Sequence, residues 1–126
     1  MSGKYSITVE SSFSASHMLV GCPPCDTLHG HTWKLKACWS FTQLDTNGMG
    51  ADFSLLKTLL ISEIRNIYDH THLNDTAPFD SIAPTAENLA REFFAILRAR
   101  SDAIPGGTLE RIEVWEGPEN YVAYEE

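Results

Sequence analysis

From Trp33 to Thr42 apolar and polar side chains alternate without a break. Trp33, Leu35, Ala37, Trp39 and Phe41 fall in one phase, and Lys34, Lys36, Cys38, Ser40 and Thr42 in the other. A period of two puts successive side chains on opposite faces of a strand, and no helix gathers that pattern into one apolar stripe. The segment, which begins near His29, therefore demands a sheet with one buried face. A second run, Tyr5, Ile7 and Val9 against Ser6, Thr8 and Glu10, reads the same way, and Phe13, Ala15 and His17 continue its odd phase.

Helical spacing follows. Asp52 can cap a helix with Phe53, Leu56, Leu60, Ile64 and Ile67 on its apolar side. Residues 69–84 read as irregular. Thr85 can cap a second helix that presents Ala86, Leu89, Ala90, Phe93, Phe94 and Leu97 on one face. Two short strands close the chain, Leu109 to Glu116 and Tyr121 to Tyr124, joined by Gly117-Pro118-Glu119-Asn120. The order strand, strand, helix, helix, strand, strand does not alternate. It predicts an α+β domain over residues 1–126, with a four-stranded antiparallel sheet and two helices between strands 2 and 3 on one face. Such a sheet leaves two edges open to assembly.

Composition narrows the function. Nine Lys and Arg against seventeen Asp and Glu give a net charge of -8 over 126 residues. Nucleic-acid affinity comes mainly from basic residues that neutralise phosphates, so a nucleic-acid partner is not expected. No apolar run approaches the roughly 18 residues of a membrane span. Residues 1–6 carry no signal-peptide pattern, so no membrane partner and a cytoplasmic location are expected. The odd cysteine count, Cys22, Cys25 and Cys38, argues against a disulfide framework and turns attention to metal binding or thiol chemistry.

The chemistry concentrates in Cys22-Pro23-Pro24-Cys25-Asp26-Thr27-Leu28-His29-Gly30-His31. His29 and His31 are two apart, so on a strand they share a face, in the inward phase of Trp33. His17 lies in the inward phase of the first strand and supplies a third imidazole if the two strands pair. Three His with an open fourth position make a catalytic zinc pattern. Two alternatives stand beside it: a pair of hydrogen-bonded core histidines, and a closed structural zinc site on Cys22, Cys25, His29 and His31. Asp69-His70, leaving a helix, forms a carboxylate–imidazole pair or is an ordinary loop dipeptide. Glu116 shares the phase of Ile112 and Val114. It is either an inward carboxylate waiting for a partner or a strand-end residue bending into solvent.

Together these residues resemble the 6-pyruvoyltetrahydropterin synthase family, in particular its 6-carboxytetrahydropterin synthase branch. The resemblance rests on Phe13-Ser14-Ala15-Ser16-His17, Cys25-x-x-x-His29-Gly30-His31, Gly50-Ala51-Asp52-Phe53, Asp69-His70-x-x-Leu73-Asn74, Pro84-Thr85-Ala86-Glu87-Asn88 and Val114-Trp115-Glu116, in that order along the chain. Three residues between the cysteine and His-Gly-His is the spacing of the carboxy-forming branch. The resemblance implies the tunnelling fold, with trimers stacked into homohexamers and active sites between subunits. It implies zinc on His17, His29 and His31, with Cys25, Asp69 and His70 as catalytic residues. Glu116 would anchor the pterin, and Thr85 and Glu87 would wall the pocket. The implied reaction takes 7,8-dihydroneopterin triphosphate to 6-carboxy-5,6,7,8-tetrahydropterin, acetaldehyde and triphosphate, in queuosine or other 7-deazapurine synthesis. A pyruvoyl-forming enzyme of tetrahydrobiopterin synthesis and a non-catalytic zinc- or pterin-binding protein are the alternatives. The chain departs from many relatives in having Met18 after His17 and no Lys or Arg in residues 18–28. Lys34 and Lys36, or a neighbouring subunit, are then the candidates for holding the triphosphate.

Overall fold

The structure is a computed structural model that describes residues 3–126; Met1 and Ser2, the first residues of the segment read as free of a signal peptide, lie outside them. Two long strands, β1 (Tyr5–His17) and β2 (His29–Phe41), pair antiparallel along their whole length. β4 (Thr108–Trp115) pairs with β2, and β5 (Tyr121–Glu125) with β4, both antiparallel. A two-residue strand, β3 (Thr71–His72), runs parallel to the end of β1 at Ala15 and Ser16. The sheet order is β3-β1-β2-β4-β5.

The sheet thus has five strands rather than four. Two residues are too few to show an alternation, so the stretch that reads as irregular contains the fifth strand. Because β3 covers only the end of β1, among the described residues the outer edge of β1 from Tyr5 to Ser14 stays unpaired in the sheet, and β5 forms the opposite edge.

The helical layer covers one face. α1 (Phe53–Leu60) continues through a π-helical turn (Ile61–Arg65) into α2 (Asn66–Tyr68). The Asp52 carboxylate caps α1 through the Ser54 N–H at 2.8 Å. Leu56, Leu60, Ile64 and Tyr68 are buried at a constant spacing of four. In an unbroken α-helix, residues four apart drift about 40° around the axis at each step, given 3.6 residues per turn. The wider π turn absorbs that drift and keeps Tyr68 on the core side. Ile67, expected inward, is exposed for this reason. Phe53, also expected inward, opens the helix before its buried face begins and is 64% exposed.

α3 (Ala86–Arg98) is capped by the Thr85 hydroxyl, which accepts from the Asn88 N–H at 3.1 Å. All six expected positions, Ala86, Leu89, Ala90, Phe93, Phe94 and Leu97, are buried; α3 packs on β4 and β5, and its Phe93 also meets Phe13 and Tyr68. On β4 the register with β2 shifts by one between Cys38 and Trp39, passing over Glu110. This bulge lets Leu109 face the core with Ile112 and Val114 although it has the opposite parity.

Phe41, at the end of β2, is clamped between two glycines. A methyl at Gly107 would lie 2.7 Å from Ile104 Cγ2 and 2.9 Å from the Phe41 ring, and one at Gly50 would lie 2.8 Å from the same ring. Phe41 and Ile104 are both buried, so neither can swing out of the way. Gly107→Ala should therefore destabilise the fold by about 1–3 kcal/mol, the usual cost of overpacking. A urea titration checks this, and an unchanged midpoint would mean that the ring has room to shift.

Candidate metal centre and active site

The register of β1 with β2 assembles the site. His17 stands directly opposite His29, and His31 pairs with Ala15. Directly opposed residues bring their Cβ atoms to about 5 Å, and diagonal neighbours remain within side-chain reach. The ring centroids of His17 and His29 are 4.5 Å apart, those of His29 and His31 4.8 Å, and those of His17 and His31 5.2 Å. Trp33 closes the inner side, with its ring edge-on to His17 at 5.0 Å and to His31 at 5.1 Å. β4 brings the fourth group. Its last residue, Trp115, pairs with Lys34, so Glu116 emerges at the same end of the sheet as His31.

Two backbone carbonyls set the tautomers. The Nδ1–H of His17 donates to the Pro84 carbonyl at 2.8 Å, and that of His29 to the Thr27 carbonyl at 2.7 Å. This turns both Nε2 lone pairs toward the cluster. Among the described residues, Nε2 of His17 and Nε2 of His31 are buried with no hydrogen-bond partner. Buried polar atoms rarely stay unsatisfied, so two in one cluster call for a ligand. Ligand atoms of His17, His29, His31 and Glu116 all lie within 4.8 Å of one another. Imidazole nitrogens with a carboxylate oxygen are a donor set suited to zinc. Burial pushes the pKa values of His17 and His31 below the ordinary imidazole range, which keeps both rings neutral and able to bind metal.

Hydrogen-bonded core histidines would have partners on those nitrogens, and these do not. The closed Cys22, Cys25, His29, His31 site is not what forms either. Among the described residues the metal-capable group takes in His17 and Glu116 and leaves out both cysteines. Cys25 instead lines a cavity of 480 Å³ with Pro24, Thr27, His29, His31 and Glu116. A hydrogen bond with the Cys22 side chain holds its thiol above the ordinary thiol value. Thr85 and Glu87 stand outside that lining: Thr85 spends its hydroxyl on the helix cap, and Glu87 is exposed in the first turn of α3.

Asp69 and His70 form the expected pair, with Asp69 Oδ2 2.9 Å from His70 Nδ1. Oδ1 of Asp69 accepts the Ser14 N–H at 2.8 Å. That bond, and then the imidazole, hold the Asp69 carboxyl below the usual carboxylate range. His70 has a left-handed backbone (φ 60°), held where its N–H donates to the Ser14 carbonyl. Such strain in a non-glycine residue gathers at functional sites. The His70 side chain is 82% exposed and lines a shallow depression with Ser14, Ser16, Thr32 and His31; it is not in the lining of the Cys25 cavity, which shares His31 with that depression. Lys34 and Lys36 lie over the Trp115 ring at 4.4 and 4.8 Å, and Lys34 lines a separate cavity with Lys57 and Arg65.

Periodicity does not reveal the residues that hold the site from behind. The Asn74 side chain pins the loop after His17, accepting from the Met18 N–H at 2.9 Å and donating to its carbonyl at 3.0 Å. Pro84 and Thr27 act through backbone oxygens, which leave no mark on residue type. Asn74 alone carries a sequence signal, as the last residue of Asp69-His70-x-x-Leu73-Asn74.

The sequence profile of the family described as 6-pyruvoyl tetrahydropterin synthase matches residues 6–126. A 6-carboxy-5,6,7,8-tetrahydropterin synthase of Synechocystis is 37% identical over 112 residues, covering 85% of this chain and 82% of its own. One of Bacillus subtilis is 28% identical over 127 residues, covering 95% and 84%. In fold, the chain superposes on Caenorhabditis elegans 6-pyruvoyl tetrahydropterin synthase with a TM-score of 0.85, at 24% identity over 99% of this chain and 97% of that one.

The depressed imidazole pKa values carry a pH signature. In the unfolded chain these rings take up protons below about pH 6.5. In the folded chain burial holds them neutral to lower pH, so the unfolded state binds more protons and stability falls with pH in that window. The urea midpoint of the metal-stripped protein should be level above pH 7.5 and should decline as pH falls below about 6.5. A level profile down to pH 5.5 would show that the two imidazoles titrate as they do in water.

Proposed function

Because this chain belongs to the 6-pyruvoyl tetrahydropterin synthase family, in its 6-carboxytetrahydropterin synthase branch, we propose that it is a lyase converting 7,8-dihydroneopterin triphosphate and water to 6-carboxy-5,6,7,8-tetrahydropterin, acetaldehyde and triphosphate. Its place would be in the synthesis of queuosine or a related 7-deazapurine. The observation that carries this reading is the meeting of the imidazole cluster, Cys25 and Glu116 around one cavity.

Each residue has a part suited to its chemistry. His17, His29 and His31 would hold the metal. When bound, zinc supplies a Lewis acid that polarises substrate hydroxyls and acidifies the neighbouring C–H and thiol groups. Glu116 would receive the pterin N3–H and 2-amino group, two donors on one edge matched to one carboxylate. Cys25, as thiolate, would take the carbon-bound proton, since it lines the cavity beside His29 and His31. Asp69 and His70 would exchange protons with the side-chain oxygens, with the carboxylate holding the imidazole's tautomer. Thr85 and Glu87 are lesser candidates for the pocket wall. In one chain neither Asp69 nor His70 lines the cavity of Cys25, although His31 lines both that cavity and the depression of His70; a site completed by a second copy would bring the pair to Cys25.

Incubation with 7,8-dihydroneopterin triphosphate and mass spectrometry of the product tests the assignment. The expected products are the 6-carboxy pterin and acetaldehyde, and a chelator should stop their formation. A 6-pyruvoyl product would move the chain to the tetrahydrobiopterin reaction, and no turnover would leave a binding protein. Cys25→Ala should keep its metal and lower turnover by about 10²–10⁴, the span for losing a positioned general base. Cys22→Ala, outside the Cys-x-x-x-His-Gly-His pattern, should be nearly silent. Equal losses in both variants would count against Cys25 as the base.

The assembly we infer is a hexamer of two trimers. The unpaired edges of β1 and β5 support it, as do the exposed apolar side chains of Tyr5, Leu44, Met49 and Phe53 around one cavity of 340 Å³. Light scattering should give six times the chain mass of 14.0 kDa. A monomer at micromolar concentration would remove the assembly and the shared site with it.

A further inference from the structure

Glu116 Oε1 lies 3.2 Å from Nε2 of His31, yet that nitrogen has no hydrogen bond. A carboxylate oxygen and an imidazole lone pair repel at this distance unless a proton or a cation stands between them. A proton on His31 would answer that one contact. It would leave the lone pairs of His17 and His29, which backbone carbonyls turn toward the same cluster, without a purpose. One divalent cation answers all four groups at once. In a tetrahedral zinc site with bonds of about 2.0–2.2 Å, neighbouring ligand atoms lie roughly 3.4 Å apart. The separation of His31 and Glu116 is close to that edge.

We propose that Glu116 is the fourth ligand of the substrate-free metal, and that pterin binding draws it away. The second half rests on the pterin-anchoring role given above. Glu116 is built to move. It is the first residue past β4, in a turn held by the bond from its N–H to the Asn120 carbonyl at 3.2 Å. Its side chain is 36% exposed, and among the described residues its carboxylate has no hydrogen bond to restrain it. His17, by contrast, is fully buried and held by Pro84. Three ligands are thus fixed on strands and one swings from a turn. A carboxylate that serves both the metal and the pterin edge keeps the metal closed to stray water and anions. It opens a coordination position only when the donor edge of a pterin competes for its oxygens.

Cobalt(II) loaded into the metal-stripped protein tests both halves, because its visible absorption reports ligand number and type. Wild type and Glu116→Gln are compared first. The variant should bind cobalt at least about tenfold more weakly, as perturbed metal sites do, and its spectrum should differ. Identical spectra and affinities would overturn the ligand assignment. Pterin without side-chain hydroxyls is then added, its binding followed by ring fluorescence. The wild-type spectrum should move toward that of the variant. Bound pterin with an unmoved wild-type spectrum would overturn the exchange. Failure of pterin to bind cobalt-loaded wild type would remove the exchange together with the pterin reading, while the ligand assignment would still be decided by the first comparison.

Discussion

The pairing of β1 with β2 is the constraint on which the rest of this structure depends. Thirteen consecutive residues of each strand are in register, from Tyr5 with Phe41 to His17 with His29. A slip of one residue would move a whole row of side chains to the wrong face. Phe13 would leave its stacked contact with Trp33, at 6.1 Å between ring centroids, and His17 would point away from His29 and His31. Core and candidate metal centre are therefore set by one register. The imidazoles are the last members of the rows that begin with Val9 and Phe41, and the hydrophobic energy that buries Trp33, Leu35 and Phe13 also positions three imidazoles that could hold a metal. Neutral imidazoles tolerate that placement where charged ligands would not, because burial lowers their pKa rather than stranding a charge.

Much of this was legible in the sequence because long elements with one buried face leave periodic traces. The alternation from Trp33 to Phe41 fixes strand and face together, and the caps Asp52 and Thr85 start their helices where expected. The features that escaped are those with no period. β3 is two residues long and takes its place from the Ser14 contacts to Asp69 and His70. The π turn shows only as a run of buried residues four apart, which is hard to distinguish from a helix with mixed spacings of three and four. The bulge opposite Cys38 and Trp39 explains why Leu109 and Ile112 both face inward, a parity conflict visible in sequence but open to other readings.

The same division runs through the site. His17, His29 and His31 were legible because they end strands and share their phase. Cys25 sits in a loop and has no phase, so its place beside His29 depends on turns closed by Asp26 N–H to Cys22 O at 2.9 Å and Leu19 N–H to Cys25 O at 2.8 Å. Only its spacing from His29 marks it in the sequence. Glu116 lies between these cases. Its phase predicts an inward carboxylate, but its position one residue past β4 gives it a turn's freedom, so both readings of it, inward partner and strand-end residue, describe part of its placement.

The arrangement within one chain also has a logic that points beyond it. The Cys25 cavity opens on the side of the β1–β2 loop, and its lining contains neither Asp69 nor His70. That pair is nevertheless built with care: Ser14 grips it through both backbone groups, and His70 accepts a left-handed conformation to make the bond. The bond from the His70 N–H to the Ser14 carbonyl holds the left-handed backbone and leaves the ring exposed. The ring is displayed beside β1, the strand whose outer edge lacks a partner over most of its length. An edge that pairs with another copy would carry Asp69 and His70 toward that copy's surface. The proposed hexamer would therefore bear on the chemistry as well as on stability, since pairing at the open edge would bring an exposed imidazole to a second copy.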